Sequence, residues 1–308
     1  MAERSYSLAV LRFPGNNQEH PASSGWVIEH MRKWLTDPRI SRVFHLRKSD
    51  TPITMVRNLL VEKALEENAD YILMIDSDMH PDVEPDGKPF WDVAWEFMME
   101  RREREEAHRD NLASIAVQTK MPPSGFDEEM FKLFPPATIG APYCGPPPHE
   151  CVFVFKVAQP EGNTPAAPRP YTIQLYDRDH ASEFSGIFEV AALPTGLILY
   201  DARVFKRLPP PWFEYEWADE ERTTKGSTED LVQTRNAARI GMPQFCAWDC
   251  WAGHIKPKVV RKPRALAVND AYDAMADAVR KGNRGGYQVK IMGSPEDVPG
   301  RPSKIHFD

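Results

Sequence analysis

Long apolar runs are missing from this chain. Nothing approaches the ~20 consecutive residues of a membrane-spanning helix, and the N-terminus has no apolar core set between charged and small residues. A cytoplasmic protein with no membrane span is the expectation. Positive charge is in deficit, with 38 Lys and Arg against 45 Asp and Glu and a net charge of −7. That argues against attraction of the whole surface to nucleic acid or anionic lipid, while leaving room for a local basic path. One path exists from His254 to Arg264, although its cations suit a solvated tail equally well. Cysteine is scarce: Cys144, Cys151, Cys246 and Cys250 form no CxxC pair. Cys246, Cys250 and His254 recur every fourth residue, which would suit a structural zinc, but reduced, half-buried thiols are the simpler reading.

Proline, by contrast, is abundant. The 29 prolines in 308 residues are about twice the usual ~5% share. They cluster between Met121 and Pro170, where Pro135-Pro136 and Pro146-Pro147-Pro148 interrupt any regular element; this reads as elaborated loops with a hairpin around Cys151 to Val157.

The first eighty residues alternate strand and helix. Ser7 to Phe13 reads as a strand closed by the turn-forming Pro14-Gly15-Asn16-Asn17, and Ser24 caps a helix to Leu35 with Trp26, Ile28, Met31 and Leu35 inward. Arg42 to Leu46 is a second strand. Ser49-Asp50-Thr51-Pro52 opens a helix from Ile53 to Glu67 with Met55, Leu59, Leu60 and Leu65 inward. This is the pattern of a mainly parallel sheet.

Next comes Tyr71-Ile72-Leu73-Met74-Ile75-Asp76-Ser77-Asp78. Five apolar residues in a row read as a strand buried on both faces, and it stops on two acids. In extended chain, Asp76 and Asp78 point to the same side, where their oxygens can grip one hard divalent cation; the same triplet also suits a turn before Pro81.

Downstream, Phe90 to about Glu106 reads as a helix with a solvated charged end at Arg101 to Glu106, and Leu112 to Val117 as a strand. Tyr171 to Tyr176, Phe188 to Leu193, Leu197 to Tyr200 and Phe245 to Trp251 are β-like. Glu214 to Lys225 reads as a loop, Leu231 to Ile240 as a helix opened by Thr228-Glu229-Asp230, and Val268 to Lys281 as a C-terminal helix. The expected organisation is one α/β domain over residues 1–260, with inserted loops at 121–170, then a basic segment, helix and tail at 261–308.

Arg57-Asn58, Asp76-Ser77-Asp78, Thr195-Gly196, Glu229-Asp230 and Gly253-His254 follow one another in that order. The ordered set resembles glycosyltransferases of the GT-A fold over about Ser5 to Pro257, and in lacking an anchor it is similar to phage and bacterial members. The resemblance implies a Rossmann-like mixed, mainly parallel sheet flanked by helices. It implies Mn²⁺ or Mg²⁺ as cofactor, with Asp78 a direct ligand, Asp76 in the metal shell and at the donor's ribose, and His254 a further ligand. It also implies a nucleotide-diphosphate sugar donor, uridine-linked by preference, near Pro14, Asp50, Arg57, Thr195 and Gly196. Asp230, with Glu229 beside it, would take the acceptor proton and invert the anomeric centre. The acceptor stays open between a hydroxymethylated DNA base, a glycan and a protein.

That residue chemistry is apt. A divalent ion neutralises charge building on a diphosphate leaving group, and a carboxylate accepts the proton of an attacking hydroxyl. Each residue also has a plainer role: Asp230 as a helix cap, His254 as a loop histidine, Arg57 in a surface ion pair, and the aromatics Trp212, Phe213, Tyr215 and Trp217 in the core instead of under a sugar. A sugar-phosphate nucleotidyltransferase and a catalytically silent nucleotide-sugar binding protein are the competing functions. The former needs a glycine-rich phosphate loop with a basic residue near the N-terminus, for which Pro14-Gly15-Asn16-Asn17 is a poor substitute.

Overall fold

A computed structural model of the protein describes residues 5–14, 19–49, 52–119, 126–145, 151–157 and 173–255. Asp50, the turn after Pro14, most of the proline-rich stretch, the basic run beyond Ile255 and the expected C-terminal helix lie outside the described residues.

In chain order the elements are β1 (Tyr6–Phe13), α1 (Pro21–Thr36), β2 (Ile40–Arg47), α2 (Ile53–Glu66), β3 (Tyr71–Asp76), β4 (Met79–His80), α3 (Phe90–Thr119) and α4 (Phe126–Leu133). There follow β5 (Thr138–Gly140), β6 (Phe155–Val157), β7 (Ile173–Leu175), α5 (Arg178–Ala181), β8 (Ile187–Val190), β9 (Leu197–Asp201) and α6 (Arg203–Arg207). The described chain ends with β10 (Glu216–Trp217), β11 (Lys225–Ser227), α7 (Glu229–Arg239), β12 (Gln244–Ala247) and β13 (Gly253–His254).

The central seven-stranded sheet has the order β2-β1-β3-β9-β5-β12-β8. β1, β2, β3, β5 and β12 run one way, and β9 and β8 run against them. The mixed, mainly parallel sheet expected from the sequence is therefore present, with helices on both faces.

The two faces explain the unbroken apolar strands, because a period of two sends successive residues into opposite cores. Ala9, Leu11, Ile72, Met74, Ile198 and Tyr200 pack on Val56, Leu60 and Val61 of α2 and Val204 and Phe205 of α6. Leu8, Val10, Leu73, Ile75, Leu197 and Leu199 pack on Trp26 and Trp34 of α1 and Trp91, Trp95 and Met98 of α3.

Several local expectations are corrected. α1 starts earlier than Ser24, capped by His20 with Pro21 in the first turn, so its buried stripe is Ser23, Trp26, Val27, His30 and Trp34. Ile28 and Leu35 are 72% and 65% exposed. In α2 the buried face is Val56, Arg57, Leu60, Val61 and Ala64, and Met55 points outward. Leu112 to Val117 continues α3 as helix instead of forming a strand, because good helix formers and i,i+4 pairs such as Glu100–Arg104 and Glu105–Arg109 carry the helix onward. The charged end of that helix is not simply solvated. Glu105 is buried and takes both terminal nitrogens of Arg203 at 2.7 and 2.8 Å.

The largest correction falls inside the proline-rich stretch. Thr138–Gly140 is a buried strand at the centre of the sheet, between β9 and β12. Glu214 to Lys225 includes a short hairpin, β10 with β11, and the strand expected from Phe245 to Trp251 ends at Ala247. No helix among the described residues is long and apolar enough to cross a membrane.

Candidate functional site

Asp76 is the last residue of β3, and its register partner on β1 is Phe13, so Pro14 leaves the sheet beside it. The Asp76 backbone N–H donates to the Gly196 carbonyl at 2.9 Å, which ties the Thr195-Gly196 turn to the same strand end. Asp78, two residues on, enters a second small ladder in which β13 runs antiparallel to β4, pairing His254 with Met79 and Gly253 with His80. Ile255 N–H closes the ladder on the Asp78 carbonyl at 2.8 Å. Residues far apart in sequence are thereby fixed next to one another by backbone.

His254 Nε2 lies 3.3 Å from Asp78 Oδ2. On the other side of the ring, Nδ1 sits 3.0 Å from the Cys144 carbonyl oxygen. A carbonyl only accepts, so Nδ1 carries a proton and donates it. Nε2 is then the ring nitrogen that faces the Asp78 carboxylate. Two ligands on one ion, each at about 2.1 Å, stand about 3.0–3.5 Å apart, and the observed separation falls in that interval. The carboxylate oxygen suits Mn²⁺ or Mg²⁺, whereas imidazole is the commoner ligand of later transition metals such as Zn²⁺. Among the described residues, no three His, Cys, Asp or Glu side chains converge as a complete metal site. The pair could hold at most part of a coordination shell.

Behind this pair is a buried ionic network. Arg57, 4% exposed, gives Nη2 to both oxygens of Asp76 at 2.9 and 3.0 Å and Nη1 to Glu229 Oε1 at 2.7 Å. Its two ends are spent on carboxylates, so it orients Asp76 and Glu229. Burial pushes both acids above their ordinary range; Arg57 pulls them down, and neighbouring carboxylates, Asp230 for each and Asp78 for Asp76, push them up again. Asp230, in the first turn of α7, is half-buried, and its Oδ1 accepts from Leu231 N–H at 2.9 Å. Three acids, Asp76, Glu229 and Asp230, thus surround one buried guanidinium, so acidic groups outnumber the cation at this end of the sheet.

Tyr143 is the residue that the sequence did not announce. Its hydroxyl accepts from Gly196 N–H at 3.2 Å, and its ring meets the His254 ring edge-on at 5.2 Å. A Cβ on Gly196 would come within 2.6 Å of that hydroxyl, which is why this close approach takes glycine. Burial lifts the Tyr143 pKa well above its usual value, and the charges of Asp76 and Asp230 add to the effect. Thr195 is buried as well, and its hydroxyl has no hydrogen-bond partner among the described residues. Cys246 and Cys250 are buried, inert thiols, Cys250 pushed up to about 12 by burial. They do not join His254 in a zinc site.

No family model and no curated protein matches this sequence. Among solved structures, the chain is similar to A197 from STIV over 82% of this chain and 86% of that one, with a TM-score of 0.43 and 11% identity. It is similar to GalNAc-T7, solved with UDP, GalNAc and Mn²⁺, over 83% of this chain and 45% of that one, with a TM-score of 0.38 and 10% identity. A further likeness is to a putative glucose-1-phosphate thymidylyltransferase from Bacillus anthracis, over 91% and 98% of the two chains, with a TM-score of 0.33 and 11% identity.

Proposed function

We propose that this protein is a metal-dependent glycosyltransferase, moving a sugar from a nucleotide-diphosphate donor, uridine-linked by preference, to an acceptor hydroxyl with inversion. The reading is carried by the Asp78–His254 pair, 3.3 Å apart and locked by the β4–β13 ladder, at the end of the sheet where acidic groups outnumber the buried guanidinium. A bound Mn²⁺ or Mg²⁺ there supplies charge neutralisation for a departing diphosphate.

The chain's own residues do the rest. Asp78 and His254 would be the direct ligands of such an ion, and Asp76, held by Arg57, would serve the metal shell and the donor's ribose. Thr195, Gly196 and Pro14 border the donor at the strand ends; Asp50, outside the described residues, is assigned to the donor from the sequence resemblance alone. Of the acidic pair, Glu229 is turned to Arg57, which leaves Asp230 to accept the acceptor's proton. A carboxylate in that position is worth about 10²–10⁴ in rate.

The test is a thermal-shift screen of uridine-, guanosine- and thymidine-linked sugars with and without Mn²⁺, in wild type and Asp78→Ala. A donor stabilises by mass action, so one class of nucleotide-sugar should raise Tm in wild type, only with metal, and have no effect on the variant. Equal shifts in both proteins would rule the reading out.

A further inference from the structure

We propose that Tyr215 and Trp217 form a platform for the pyranose ring of a neutral carbohydrate. As the acceptor site for Asp230, the platform rests on the transferase reading above; as a carbohydrate site, it stands on its own geometry.

Four aromatics cluster in this part of the sequence, and the structure separates them into two kinds. Phe213 is buried, and Trp212 is turned inward, its indole N–H donating to the Phe205 and Leu208 carbonyls at 2.9 and 3.0 Å. Tyr215 is half-buried and Trp217 is 39% exposed, their rings 6.3 Å apart and edge to face.

The platform is anchored at three points to the elements that carry the site. Asn58, the neighbour of Arg57, accepts from Trp212 N–H and Phe213 N–H at 2.8 and 3.1 Å and donates to the Phe213 carbonyl at 2.7 Å. Glu216 bridges to Arg235 of α7 at 2.8 Å. Glu216 also pairs with Ser227 across the hairpin, and Ser227 directly precedes Thr228, the N-cap position of α7 before Glu229 and Asp230. The ring contact places Tyr215 and Trp217 beside one another. The Tyr215 hydroxyl is lifted by burial and by the charges of Glu229 and Asp230, which agrees with a place near the start of α7.

Charge decides the ligand class. Residues 214–225 carry Glu214, Glu216, Asp219, Glu220 and Glu221 against Arg222 and Lys225. Duplex DNA brings one negative charge per ~1.7 Å and would be repelled. A neutral sugar has what this surface accepts: an apolar C–H face for an indole, and no charge for the acidic segment to repel.

The experiment is saturation-transfer NMR on the full chain with maltose, cellobiose, lactose and N,N′-diacetylchitobiose, in wild type, Trp217→Ala and Trp217→Phe, alongside filter binding of hydroxymethylcytosine-containing DNA. Trp217 is at the surface, and far-ultraviolet circular dichroism should be the same in all three proteins. The expected result is transfer to at least one disaccharide in wild type, a loss of at least tenfold in affinity in Trp217→Ala, and substantial recovery in Trp217→Phe. No transfer to any disaccharide, equal affinity in Trp217→Ala, or binding of the DNA in preference to the sugars would overturn the proposal. Nucleotide-sugar is absent from these samples, so a donor screen without a hit would remove the transferase reading and leave this result to decide the platform separately.

Discussion

Arg57 and Glu229 are 172 positions apart in the chain and 2.7 Å apart in the fold. Through that bond, and the two that Arg57 makes to Asp76, the end of β3 and the start of α7 are held as one unit. Replacing Arg57 with Met would leave buried carboxylates unpaired, and breaking such a pair costs about 3–5 kcal/mol. Urea unfolding should show that loss, and pairing Arg57→Met with Glu229→Gln should recover part of it.

A steric prediction concerns Gly196. The Cβ of Gly196→Ala meets the Tyr143 hydroxyl and ring within 2.6–2.8 Å, and Tyr143 is a buried side chain with little room to yield. The expected cost is about 1–3 kcal/mol. In a Tyr143→Leu background the same substitution should cost measurably less, and a double-mutant cycle of urea midpoints reads the coupling.

Stability should fall in acid through Glu105. Burial alone would raise its carboxyl, but the hydrogen bonds and charge of Arg203, with Arg102 and Arg109, bring it below its ordinary value of 4.5. The unfolded chain then takes up the proton first. The stabilisation is complete above the unfolded pKa and is lost as pH falls through the lower, folded one. Glu105→Gln should be less stable than wild type near neutral pH and should show a flatter decline below about pH 4.5 in urea titrations.

Asn58 gives a prediction about order near the site. Its amide holds the backbone of Trp212 and Phe213 by three hydrogen bonds. Asn58→Ala should destabilise by about 1–3 kcal/mol, and limited proteolysis should then cut faster between residues 214 and 227 than anywhere in β1 or β3.

Much of this site was legible from residue pattern. β3 was evident because a strand buried on both faces must be apolar without interruption, and the two acids at its end stood out against that run. Gly196 before β9 signalled a close approach, although not which residue approaches. Tyr143 was hidden because the prolines around it resemble loop, while β5 needs only three buried residues to join a sheet that already flanks it. The true inner faces of α1 and α2 were missed for a different reason. Trp34, His30 and Arg57 are inward in the structure, and polar or amphipathic side chains do not declare their burial in a hydrophobic period. The role of Arg57 could not be read locally, since its partners come from β3 and α7.

The most direct test of the central claim is pulsed electron paramagnetic resonance of Mn²⁺ bound with uridine diphosphate. Imidazole nitrogen and diphosphate phosphorus should both couple to the same ion in wild type, the nitrogen signal should vanish in His254→Ala, and Asp78→Asn should weaken Mn²⁺ binding by at least tenfold. Phosphorus coupling with no nitrogen in wild type, or a nitrogen signal that survives His254→Ala, would contradict the account.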